Sequence, residues 1–179
     1  MTGFIGILML DTAFPRIPGD AGNAESYPFP VRIRAVRGAG SPDIVRGARP
    51  PEHLVKSFVD TARALEAEGA VGVISTCGFL VHIQQELAVA LRIPVMASAL
   101  SLYPSLRVVL GGRPIGVLTA SQDSRLSGTL EAAGIDPQSV HVAGMQDCPA
   151  FADAILSNKA DQPDRLDSAA IQVHCATLA

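Results

Sequence analysis

The sequence has no tryptophan and few other aromatic residues (4% in all), and only 17% of its residues are charged. So few rings cannot build a base-stacking surface, and a net charge of −3 leaves no basic footprint for nucleic acid or an anionic membrane. Cysteine is scarce as well. Cys77, Cys148 and Cys175 are odd in number and form no CxxC pair, which argues against a disulfide framework or a zinc site. His53, His82, His141 and His174 are dispersed without metal-ligand spacing. Long hydrophobic runs are missing too, since no apolar stretch approaches the ~18 residues needed to span a bilayer. The first apolar run, residues 4–10, lacks a basic flank and meets Asp11, so it reads as a strand rather than a leader. The expectation is a cytoplasmic protein whose thiols are free in a reducing compartment.

What is present is a chain of 179 residues, 48% of them hydrophobic, which is enough for a packed core. Short apolar runs alternate with amphipathic segments, the pattern of βα units around a parallel sheet. Strands are expected over residues 4–10, 31–36, 71–75, 93–96, 115–119 and 140–143. Helices are expected over 51–68, 80–91, 100–110 (with Pro104 in its first turn or at a kink), 124–133 and 149–156. Residues 163–179 allow two readings. As a helix, starting near Asp161 or Gln162, they stack Leu166, Ala170, Val173 and Thr177; as a strand over 170–175, they align Ile171, Val173 and Cys175. The helix is favoured because no turn residue interrupts 165–179. The order of elements restarts near Arg113. The fold class expected is therefore α/β, with two similar doubly wound parallel-sheet lobes, 1–112 and 113–179. The second lobe stops without a closing strand or helix and reads as truncated.

Ligands of parallel α/β sheets gather at the carboxyl ends of the strands. Three such ends carry polar or reactive groups: Asp11-Thr12, Thr76-Cys77-Gly78 and Thr119-Ala120-Ser121. At Cys77, Gly78 permits close approach of a ligand, and a following helix N-terminus would favour both a thiolate and a bound carboxylate. A buried structural cysteine is the plainer alternative. Asp11 suits proton transfer or orientation of a thiol, or merely an Asx turn. Thr119 suits a substrate carboxylate, or a helix cap. His82, one turn into the helix after Cys77, reads better as a helix-face residue, and the case for chemistry at Cys148 is weak. Gly38-Ala39-Gly40 lacks the third glycine of a dinucleotide fingerprint, and no phosphate-loop pattern occurs.

The run from Ile5 to Arg16, continuing through Pro18-Gly19-Asp20-Ala21-Gly22-Asn23, resembles the opening motif of a bacterial branch of the aspartate/glutamate racemase superfamily. Ser75-Thr76-Cys77-Gly78-Phe79-Leu80 resembles that family's first catalytic-cysteine segment, and Gly116-Val117-Leu118-Thr119-Ala120 the start of its second lobe. The resemblance implies a cofactor-independent racemase or epimerase, with neither pyridoxal phosphate nor metal, acting as a homodimer on an amino acid or related small carboxylate. It makes Cys77 the first of two thiols that flank the substrate α-carbon, with Asp11 beside it. Thr12, Asn23, Gly78, Phe79, Thr119 and Ala120 would line the substrate pocket. Cys175 is the second thiol if the tail is a strand; otherwise that thiol lies outside this sequence. The alternatives are a decarboxylase or cis–trans isomerase of the same superfamily and a non-catalytic carboxylate-binding fragment.

Overall fold

A computed structural model describes residues 3–45, 49–123 and 126–178. It shows a mixed α/β protein in which every strand pairing among the described residues is parallel. Packing divides these residues into two units: 3–11, 16–39 and 49–99 in the first, and 12–15, 40–45, 100–123 and 126–178 in the second.

The first unit is built around β1 (Phe4–Leu10), whose continuous apolar run suits a strand covered on both faces. Ile7 and Leu8 are wholly buried. β2 (Val31–Val36) pairs along one side of β1 with its arginines turned outward. Arg32 and Arg34 reach Glu68 at 2.9 and 3.0 Å, and a charged outer strand of this kind discourages edge-to-edge pairing. The short helix α1 (Ser41–Val45), unforeseen from the sequence, belongs to the second unit. α2 (Glu52–Ala67) follows Pro51 and ends at Gly69, whose φ of 98° only glycine adopts freely. Leu54, Val55, Phe58, Ala62 and Leu65 form its buried stripe. Burying Phe58 alone contributes about 2–3 kcal/mol. The helix lies close on the sheet, since a Cβ added at Gly6 would stand 3.0 Å from Leu65 Cδ1.

β3 (Ala70–Ser75) pairs with β1 on its other side, giving the order β2-β1-β3-β4. An α-helix was expected over 80–91. The chain instead makes a 3₁₀ segment, Gly78–Ile83, and then α3 (Gln84–Ala90). β4 is only Val95–Met96, shorter than expected. Its start is displaced because Glu66 Oε1 takes the N–H groups of Arg92 and Ile93 at 2.7 and 3.1 Å, and Pro94 has no N–H to give.

In the second unit a 3₁₀ turn leads into α4 (Tyr103–Val109), with Pro104 in its first turn as expected. β5 (Ile115–Thr119) and, after α5 (Leu126–Ala132), β6 (Val140–Gly144) form a two-stranded parallel sheet. The expected start of α5, at Ser124 and Arg125, lies outside the described residues. α6 is a single turn, Pro149–Phe151, which widens into a π turn at Ala152–Leu156 rather than continuing as α-helix. The tail is helical, as favoured: α7 (Ser168–Leu178). It begins later than expected, because 159–161 form a separate 3₁₀ turn and the Asp167 carboxylate caps the helix at Ala170 N–H, 3.0 Å away. Among the described residues no helix is long and apolar enough to cross a membrane.

Candidate active site

Cys77 lies two residues beyond Ser75, the last residue of β3. Ser75 pairs with Leu8 of β1, and Thr76 N–H donates to Leu8 C=O at 3.0 Å. Asp11 follows the end of β1 directly, so parallel register brings Asp11 and Cys77 to the same edge of the first unit's sheet. Ser75 fixes the turn between strand and thiol. Its hydroxyl donates to Ala97 C=O at 2.6 Å and accepts the Cys77 N–H at 3.1 Å.

The thiol is buried. Burial pushes it up to about 11, against smaller downward pulls from the Phe79 and Leu80 N–H groups and from the Arg16 charge. This reverses the expectation of a lowered thiol. Desolvation outweighs the backbone donors, and the 3₁₀ segment that follows supplies a weaker dipole than a full α-helix would. The Leu80 N–H donates to the Cys77 carbonyl at 3.2 Å, which closes the turn behind the thiol.

Asp11 makes the local contacts of a loop-initiating residue. Its N–H donates to Ala39 C=O at 2.9 Å, and its Oδ2 accepts the Gly38 N–H at 3.0 Å. Asn23 caps the 3₁₀ turn Ala24–Ser26 through Glu25 N–H at 2.8 Å and donates to Arg16 C=O at 2.8 Å. Gly78 is exposed, and a side chain there would first meet Ser98 Oγ at 3.8 Å, which leaves room above the turn. Phe79 is buried in the first unit's core. His82 sits in the 3₁₀ segment, where burial and then the Arg49 charge lower its pKa.

Thr12, Thr119 and Ala120 belong to the second unit and are half-buried. Thr119 closes β5 and donates to Ser121 C=O at 3.4 Å. Cys148, buried, precedes α6, and Cys175 is half-buried within α7, so the strand that would make it a strand-end thiol does not form. Sequence reasoning passed over Arg16 and Ser75. Ser75 carried no signal beyond its place at a strand end, whereas Arg16 is the only basic residue between Asp11 and Pro30. No group of His, Cys, Asp and Glu among the described residues could hold a metal ion.

This arrangement defines a parallel α/β unit with a buried thiol just past a strand end. No protein-family model matches the chain. A dimethylsulfoniopropionate lyase of Durusdinium sp. clade D is 36% identical over 108 residues, covering 60% of this chain and 36% of that protein. Dimethylsulfoniopropionate lyase 7 of Emiliania huxleyi (strain CCMP1516) is 27% identical over 181 residues, covering 98% of this chain and 51% of that protein. The chain thus spans about half, or less, of the length of these curated relatives. Among solved structures, unliganded arylmalonate decarboxylase aligns with 98% of this chain and 73% of its own, at 20% identity and a TM-score of 0.48. An aspartate racemase homologue from Pyrococcus horikoshii OT3 aligns with 80% and 66%, at 16% identity and a TM-score of 0.47.

Proposed function

We propose that Cys77 is the base that removes an α-proton from a small carboxylate, and that the reaction is a lyase elimination on a sulfonium-substituted propionate. The observation that carries this reading is the buried thiol just past the end of β3, at the sheet edge where Asp11 follows β1. The relatives' activity, dimethylsulfoniopropionate cleavage, supplies the substrate class.

The chemistry needs one base and no cofactor. The Cys77 thiolate takes the proton α to the carboxylate, and the C–H electron pair becomes the new C=C bond. The bond from the β-carbon to sulfur breaks, dimethyl sulfide leaves with the carbon–sulfur bonding pair, and acrylate remains. No net oxidation occurs, and the thiol then returns its proton to solvent. A high thiol pKa makes the thiolate rare at neutral pH but strongly basic once formed, which suits a weakly acidic α-carbon. Racemisation is the reading that the sequence motifs favour, and it requires a second acid–base group on the opposite face of the α-carbon. Elimination does not. We assign the relay of the proton to Asp11, at the same sheet edge. We also assign Asn23, Gly78 and Phe79 to the substrate pocket, and a cytosolic homodimer to the working protein, on the resemblance.

The test is proton NMR in deuterium oxide with dimethylsulfoniopropionate and, separately, with acidic amino acids. Acrylate and dimethyl sulfide appearing together support the lyase reading. α-Deuteration of an amino acid without elimination would replace it with racemisation. Neither signal, from protein shown to be folded, would overturn both.

A further inference from the structure

β4 is the outer strand of the first unit's sheet, and its register with β3 covers only Val95 and Met96. Side chains hold what the ladder does not. At its start Glu66 takes the N–H groups of Arg92 and Ile93. At its end stands Gln84, the first residue of α3. Its Nε2 donates to Val95 C=O at 3.1 Å, and its Oε1 accepts the Ala97 N–H at 2.8 Å. One partner can only accept and the other can only donate, so the orientation of the amide is fixed. A carboxamide carries the same donor and acceptor as a peptide group. Gln84 thus gives this edge strand two bonds of the kind a further strand would give it.

Ala97 is the node through which the clamp reaches the thiol. Gln84 holds its N–H, and its C=O accepts the Ser75 hydroxyl at 2.6 Å. Ser75 Oγ in turn accepts the Cys77 N–H at 3.1 Å. The path from Gln84 through Ala97 and Ser75 to Cys77 is a closed ring, because Gln84 directly follows the 3₁₀ segment that begins after Cys77. Ser98, next to Ala97 and 2% exposed, confirms how near the strand end lies: a side chain at Gly78 would meet its Oγ first, at 3.8 Å.

We propose that Gln84 is a positioning residue for Cys77: by clamping the end of β4 it fixes, through Ala97 and Ser75, where the thiol stands and how far it is withdrawn from water. This deepens the reading of Cys77 as the base, and it rests on that reading. A group that must reach one proton has to be held to within about 0.5 Å. Ser75 cannot hold it alone, since its hydroxyl is anchored on a strand with two residues in register. Gln84 keeps that anchor from shifting, and it touches no reacting atom itself.

The test reads Cys77 by alkylation with iodoacetamide, in which the thiolate forms a carbon–sulfur bond, iodide leaves, and the thiol proton passes to buffer. Peptide mass spectrometry gives the rate at Cys77 relative to Cys175 as a function of pH. Gln84→Met keeps the length of the side chain and removes both bonds. The rate ratio near neutral pH should rise about tenfold, and the pH midpoint should move from about 11 toward 9.0 as water reaches the sulfur. Ser75→Ala should do the same, and the double variant no more than Ser75→Ala, because both act along one path. Glu66→Met, which frees the start of β4 but has no bond on that path, should lower stability in denaturant and leave the ratio at the parent value. An unchanged ratio in folded Gln84→Met would overturn the proposal, as would a double variant whose effect is the product of the singles. An equal rise in Glu66→Met would overturn it too, since any loosening of β4 would then suffice. Should Gln84→Met not fold, Gln84→Asn, too short to span both partners, takes its place on the same terms. No turnover is read, so the two readings fail separately. A thiol that answers to Gln84 without elimination would keep the brace and remove the lyase, whereas elimination with a thiol indifferent to Gln84 would remove the brace alone.

Discussion

In the first unit β1 lies between two strands and buries Ile7 and Leu8 completely, whereas in the second β5 has one neighbour and leaves Leu118 52% exposed. The helices differ in the same way. α2 buries five side chains against its sheet, and α7 buries none. One grammar of parallel βα units thus gives a finished core in one unit and a thinly covered sheet in the other. A reactive group needs a rigid, dehydrated setting to be held and tuned, and the first unit provides it. Cys77 stands on the better-packed sheet, fixed by Ser75 and pushed upward in pKa by its own burial.

The sharpest way to break this contrast is to cut one large apolar side chain in each unit. Phe58→Ala should destabilise the chain by about 3–5 kcal/mol in denaturant unfolding, while Leu118→Ala should cost less than about 1 kcal/mol. Equal losses would mean that the two sheets are supported alike. A second effect is tied to the thiol. Cys77 goes from an ordinary value of 9.0 to about 11 in the fold, so the folded chain holds this proton more tightly than the unfolded one. Its contribution is complete below pH about 9 and is lost as pH rises to about 11, a fall of about 2–3 kcal/mol. Cys77→Ala should flatten that part of the stability–pH curve, and a curve of unchanged slope would show that the thiol is better solvated than its burial implies. The smallest effect belongs to α7: Cys175→Ala should stay within about 0.5 kcal/mol of the parent, because that helix buries no side chain. A loss beyond about 1 kcal/mol would show α7 to be packed as firmly as α2.

The same contrast explains what was legible in the sequence. β1, β3 and α2 announce themselves because burial on two faces, or on one helical stripe, leaves an unmistakable pattern of apolar residues. Strand ends follow from strands, so Asp11 and Cys77 could be placed at one sheet edge before any coordinates. The 3₁₀ turn of Gly78–Ile83 was not legible, because an apolar run such as Phe79-Leu80-Val81 fits 3₁₀ and α-helix equally. The shortening of β4 depends on Glu66, a residue nearly thirty positions away whose carboxylate captures two strand N–H groups. The direction of the Cys77 shift was misjudged for a related reason. Sequence shows the donors at a helix start but not how completely the sulfur is withdrawn from water. Arg16 was passed over in the sequence, because its pairing with Asp20 and its course past Gly22 appear only in three dimensions.

The most direct test of the central claim is the release of acrylate and dimethyl sulfide from dimethylsulfoniopropionate by the parent chain and by Cys77→Ala, with the fold of both verified by circular dichroism. Loss of the proposed base should lower the rate by about 10²–10⁴-fold while leaving the fold intact. Release that continues at the parent rate without the Cys77 thiol would contradict the account.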